Sequence, residues 1–122
     1  DAKPSMREKA AAAAADANAA TARALFEPLH GVAEASLGAQ LPILLYVDQQ
    51  PSVAALTVVQ AAGDHSVVAL TAGLLEHLAR CLGPYQAVDA LLFIMAHEIG
   101  HIVLWTRATP EELWRPAEPT LS

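Results

Sequence analysis

The spacing of apolar residues divides the chain into helical segments on either side of a short run of strands. Residues 5–25 are rich in alanine, the best helix former, and Ser5 is placed to cap a helix that starts after it. Four apolar residues then recur at helical spacing: Leu29, Val32, Ala33 and Leu37. Gly38 supplies a stop. We expect Pro28 to begin a new helical segment, because the residue before a proline avoids helical geometry.

The middle of the chain has the composition of strands. Residues 41–47 form one apolar run, in which proline appears only near the start. Two more apolar runs follow, at residues 53–60 and 66–70. Gly63 lies between them and can provide the positive φ that a hairpin needs. The sequence therefore predicts a three-stranded sheet, in which 53–60 is a plausible edge strand.

Two further helices follow the strands. Thr71 can cap the first of them, whose leucines face inward until Gly83 and Pro84 end it. The second runs from about Tyr85 to Thr106 with few charges, which is typical of a helix surrounded by protein. The predicted fold class is therefore α+β, with N-terminal helices and a small three-stranded sheet packed against a buried last helix.

The same pattern suggests how the chain is organised. Residues 1–27 read as an Ala-rich helical arm, which suits packing or an oligomer contact better than a membrane. Residues 28–106 read as the folded domain. Residues 107–122 contain three prolines and read as a tail, with at most one helical turn around 111–114. The abrupt, proline-punctuated end suggests that a C-terminal segment is missing.

Charge and composition limit the classes of partner and the cellular location that we expect for this protein. A net charge of −6 without a basic run argues against nucleic acid. The longest uncharged stretch of the last helix, residues 90–96, is too short to span a bilayer, so we expect no transmembrane segment. Cys81 is the only cysteine, and its apolar neighbours suggest a small buried residue. The chain starts at Asp1 without a methionine, which suits a periplasmic or secreted mature form as well as a trimmed one.

The most informative motif lies in the last helix, as His97-Glu98-Ile99-Gly100-His101. Residues four apart lie above one another on a helix, so His97 and His101 can direct their rings at a single zinc ion. Glu98 is rotated by about 100° from His97 and can hold a water molecule at that ion without being a ligand. Gly100 is small enough for another backbone to approach closely. The motif predicts a zinc-dependent hydrolase, and the alternative is a hydrogen-bonded cluster in the core.

Catalytic zinc sites use three protein ligands, and the motif supplies two. The carboxylates after it are Glu111, Glu112 and Glu118, which a solvated tail also explains. The remaining histidines are best explained as surface or helix-end residues rather than ligands: His30, His65 and His77. The two tryptophans, Trp105 and Trp114, read as core or interface residues.

The stretch from Leu44 to Leu104 resembles the HtpX and CAAX-prenyl-protease family of gluzincin metallopeptidases, in particular its small soluble members. The residues that carry the likeness are three segments: Tyr46-Val47-Asp48 with Ala54-Ala55-Leu56, Val67 to Leu75, and Phe93 to His101. The last segment is the specific one. The resemblance implies a zincin-like fold, His97 and His101 as ligands of one Zn²⁺ ion, and Glu98 as general base.

The resemblance further implies an endopeptidase that hydrolyses peptide bonds of a peptide or protein substrate through a metal-activated water. This chain departs from the family in one important way, because the family takes its third ligand from a glutamate on a later helix, in an E-x-x-x-D context that is absent here. That ligand could also come from another subunit or from missing sequence. The alternative function is a catalytically incomplete or regulatory zincin-fold domain that binds a protein partner.

Overall fold

The computed structural model describes residues 3–62 and 64–107, and for residues 61 and 62 it describes the backbone alone. In that part of the chain three helices enclose one side of a three-stranded sheet. The elements, in chain order, are α1 (Met6–Leu37), β1 (Ile43–Asp48), β2 (Ala55–Ala62), β3 (His65–Thr71), α2 (Ala72–Cys81) and α3 (Pro84–Arg107). The α+β class and the order of the strands and of the two helices that follow them are as predicted, whereas the tail from residue 108 onwards lies outside the described residues.

Helix α1 is one continuous helix, so the predicted break at Pro28 is wrong. Ser5 caps its start by accepting a hydrogen bond from the backbone N–H of Glu8, and Gly38 ends it with a φ of 68°. Pro28 costs the helix one backbone hydrogen bond, but buried Phe26 precedes it and partly buried Leu29 follows it on the same core. Packing on both sides holds the two halves in line. The division into an arm and a domain between residues 27 and 28 stays a prediction.

The sheet has the strand order β1-β3-β2, with β1 parallel and β2 antiparallel to β3. The predicted hairpin is confirmed, although β2 both starts and ends two residues later than the predicted strand 53–60, at Ala55–Ala62. A bulge interrupts its pairing between Val58 and Ala62, and Gln60 there has a φ of 51°. β2 is an edge strand within the described residues, and it packs beside α3.

Both faces of the sheet carry mainly apolar residues, but only one of the two faces is buried. Residues on one face pack under the helices in a core that includes Val47, Val68 and Leu70. The other face carries exposed or half-buried apolar residues in two cross-strand rows: Leu44, Val67 and Val58, then Tyr46, Ala69 and Leu56. An antiparallel pair with one solvated face usually alternates apolar and polar residues. This sheet therefore presents an unpartnered apolar face in the described part of the protein.

Helix α3 is only half covered, which corrects the prediction of a fully buried helix. Met95, Ile99 and Ile102 are buried against the sheet and α1, whereas Phe93 is 73% and Leu104 is 69% exposed. The other elements described here pack against one side of α3. By length and composition α3 is also apolar enough to cross a membrane, a weak criterion that core helices of soluble proteins meet as well. The expectation of no membrane span therefore does not follow from the short uncharged stretch alone.

Candidate metal centre

The helical geometry of α3 brings His97 and His101 together. The two residues lie one turn apart near the middle of a 24-residue helix that begins at Pro84, a residue suited to the first turn. Their Nε2 atoms lie 3.2 Å apart, and the rings are nearly perpendicular, with centroids 4.8 Å apart. The imidazoles therefore converge on one point, as the spacing predicted.

The separation of the two nitrogen atoms is compatible with a shared zinc ion. With Zn–N bonds of about 2.0–2.1 Å and tetrahedral angles, two ligand nitrogens lie about 3.3 Å apart. The observed separation is close to that distance. It also suits a hydrogen bond between two neutral rings, one donating and the other accepting. Geometry alone therefore permits both interpretations that the sequence left open.

Burial distinguishes the three polar residues of the motif. Glu98 is 9% exposed, His101 is half-buried and His97 is exposed. The free-energy cost of burying a polar group without a partner consequently applies to Glu98 and not to the exposed His97. His97 therefore lies on the exposed side of the motif, whereas Glu98 lies on its buried side.

Glu98 faces β2 rather than open solvent. The hydroxyl of Thr57 lies 2.7 Å from the carboxylate oxygen Oε2 and 3.1 Å from the backbone oxygen of the same residue. Thr57 belongs to none of the motifs that indicate a function in the sequence. Alternation along β2 could have pointed to it, because Thr57 is the polar residue between Ala55 and Val59 on the face that packs on the helices.

A third ligand is not found in residues 3–62 and 64–107, where no three His, Cys, Asp or Glu side chains come close enough to hold a metal ion. The candidates in the tail, Glu111, Glu112 and Glu118, lie outside the described residues. The structure thus supplies the pair of histidines, while Glu98 follows His97 in the sequence and bonds to Thr57.

The other histidines lie elsewhere: two are on the surface as predicted, whereas His30 is a partly buried residue inside α1 and not at a helix end, because α1 continues through Pro28. His65 and His77 are exposed, and His30 contacts the backbone oxygen of Leu41 where the chain leads into β1. Cys81 corrects a prediction, because it is exposed rather than buried, with its Sγ 3.7 Å from Nδ1 of His77. It is the last residue of α2.

No other backbone approaches Gly100 closely in the described part of the chain. A methyl group built on its Cα would meet no atom within 4 Å, so the expectation of a close approach there is wrong. The glycine instead borders an apolar cleft of about 410 Å³ between α1 and α3, which Leu29, Val32 and Leu104 also line. This cleft does not contain the side chains of His97, Glu98 or His101.

Comparisons of the chain with protein-family models, with curated proteins and with solved structures found no match.

Proposed function

We propose that this chain carries the catalytic helix of a zinc-dependent metalloendopeptidase with a zincin-like fold. His97 and His101 would hold the ion, and Glu98 would act as general base. The observation that carries the proposal is the 3.2 Å separation of the two Nε2 atoms, on a helix whose sequence places Glu98 directly after His97. The small sheet beside the motif helix and the resemblance of its last segment to the HtpX-like peptidases support the same conclusion.

The positions of the side chains suggest a separate role for the ion, for Glu98 and for strand β2. A zinc ion bound here supplies Lewis-acid chemistry, since it acidifies water and polarises a carbonyl. Glu98 accepts the proton of the attacking water and passes it to the leaving amine. An extended peptide can add to β2, whose outer edge is unpaired within the described residues and which packs beside α3.

A second candidate is a regulatory or catalytically incomplete protein with the same fold, which binds a protein partner. Two observations favour it: the described residues offer two ligands rather than three, and the outer face of the sheet is apolar and exposed. The two candidates differ in whether hydrolysis accompanies metal binding.

Metal analysis after dialysis against zinc, together with melting curves at increasing zinc concentration, tests the proposal. We expect one zinc ion per wild-type chain and a melting temperature that rises with zinc, since an ion that binds only the folded state stabilises it. His97→Ala should abolish both effects. His77→Ala, which removes an exposed histidine of α2, is the matched control and should preserve them.

Hydrolysis of an unfolded protein substrate separates the candidates. Glu98→Gln should retain zinc and lose hydrolysis, because the amide cannot accept the water's proton. Zinc binding without hydrolysis in the wild-type protein would favour the regulatory candidate. A wild-type protein that binds no zinc, with His97→Ala melting at the same temperature, would contradict the proposal.

A further inference from the structure

Thr57 makes the closest polar contact of the Glu98 side chain. Its hydroxyl lies within hydrogen-bond distance of both Oε2 and the backbone oxygen of Glu98, at 2.7 and 3.1 Å. A hydroxyl carries one proton and donates to one acceptor at a time. The charge and the shorter distance make Oε2 the stronger acceptor. This bond joins the edge strand to the motif helix across 41 residues of sequence.

The position of Thr57 in the strand is unusual for a hydroxyl. The neighbouring residues on the same face of β2, Ala55 and Val59, are apolar and pack against the core. A valine would satisfy the strand and the packing equally well, since it has nearly the shape of threonine. The hydroxyl therefore has one structural use among the described contacts, which is to hold Glu98.

The bond determines which carboxylate oxygen is free. A glutamate side chain has several rotatable bonds, so an unanchored carboxylate samples several directions. Thr57 engages Oε2, and no buried side-chain oxygen in residues 3–62 and 64–107 is without a partner. Oε1 is consequently the oxygen that remains open to solvent and able to accept a proton.

We propose that Thr57 is a positioning residue for the general base: its hydroxyl holds Oε2 of Glu98 against the edge strand, so that Oε1 faces the reacting water. This inference rests on the proposed function. It predicts a loss in the rate of the chemical step when the hydroxyl is removed, while the two histidines and the ion they bind stay in place. Misorientation of a catalytic group by a small displacement lowers rates by up to about a hundredfold.

The test compares Thr57→Val with Thr57→Ser in peptide hydrolysis. We expect Thr57→Val to lower kcat by about tenfold to a hundredfold with little change in KM and with full zinc content. Thr57→Ser keeps the hydroxyl and should recover most of kcat. Thr106→Val removes a hydroxyl from α3 that bonds its own helix at Ile102, and it serves as the matched control with unchanged kcat. If Thr57→Val does not fold, Thr57→Ala replaces it.

A double-mutant cycle shows whether Thr57 acts through Glu98. In a Glu98→Asp background the shortened carboxylate no longer reaches the hydroxyl, so Thr57→Val should cost clearly less than in the wild type. An equal cost in both backgrounds, or a wild-type kcat in Thr57→Val, would overturn the positioning role while leaving the peptidase intact. A wild-type protein without zinc or hydrolysis would instead overturn the proposed function and this inference together, and that outcome appears before any substitution at Thr57.

Discussion

The start of α2 and the middle of α3 each contain a glycine, and the surroundings of the two glycines are opposite. A methyl group on Gly73 would overlap the backbone carbonyl oxygens of Pro51 and Ser52, whereas a methyl group on Gly100 would meet nothing within 4 Å. The first region is closed by backbone packing. The second is open at Gly100 and borders the apolar cleft between α1 and α3. Around Gly100 the motif helix is therefore less covered than the start of α2.

In the closed region, hydrogen bonds hold the start of α2 against the loop between β1 and β2. The N–H of Gly73 donates to the oxygen of Gln50 at 3.0 Å, and the Thr71 hydroxyl accepts from the N–H groups of Leu74 and Ala54. These bonds fasten the loop between β1 and β2 to the helix start. The open region is joined to the sheet by the hydrogen bond from the Thr57 hydroxyl to Glu98, while Phe93 and Leu104 on its outer side are exposed.

The largest effect should come from Gly73→Ala. Because the new methyl group would overlap backbone oxygens that cannot rotate away, we expect the free energy of unfolding to fall by about 4 kcal/mol or more. Chemical denaturation measures the change. Gly31→Ala on α1 is the matched control, since a methyl group there meets no atom within 4 Å, and it should be neutral or slightly stabilising. A loss below about 1 kcal/mol for Gly73→Ala would contradict the closed packing.

A pair of substitutions two residues apart on α3 measures the contrast within one helix. Met95 is fully buried, and Met95→Ala should lower the free energy of unfolding by about 3 kcal/mol through lost packing and a cavity. Phe93 is exposed, and Phe93→Ala should change it by less than about 0.5 kcal/mol. Denaturant titration of both variants checks the difference. Similar losses at both positions would show that the exposed side of α3 is covered in solution.

Local signals in the sequence were sufficient for most of the fold. Ser5, Thr71 and Gly38 act at helix ends through bonds or φ values that depend on neighbouring residues alone, and all three occupy their predicted roles. The prediction failed at Pro28, where long-range packing outweighed the lost hydrogen bond. It also failed at Cys81, whose apolar neighbours along the chain do not determine which side of the helix faces the core.

The candidate site was predictable only where its geometry is helical. The spacing of His97 and His101 fixes the convergence of their rings, because one turn of helix separates them. Thr57 lies 41 residues from Glu98, and their contact depends on how β2 packs beside α3. The apolar character of α3 suggested burial on all sides, but the polarity of a helix does not specify how many elements cover it.

The smallest effect should come from Gly100→Ala, which tests the open region directly. Alanine is the better helix former, so with free space for its methyl group we expect a gain of about 0.5–1 kcal/mol in the free energy of unfolding and an unchanged zinc content. Denaturation and metal analysis of the same sample check both. A loss of stability would show that some other surface packs against Gly100 in solution, and then the cleft that Leu29 and Leu104 line would be the place where it docks.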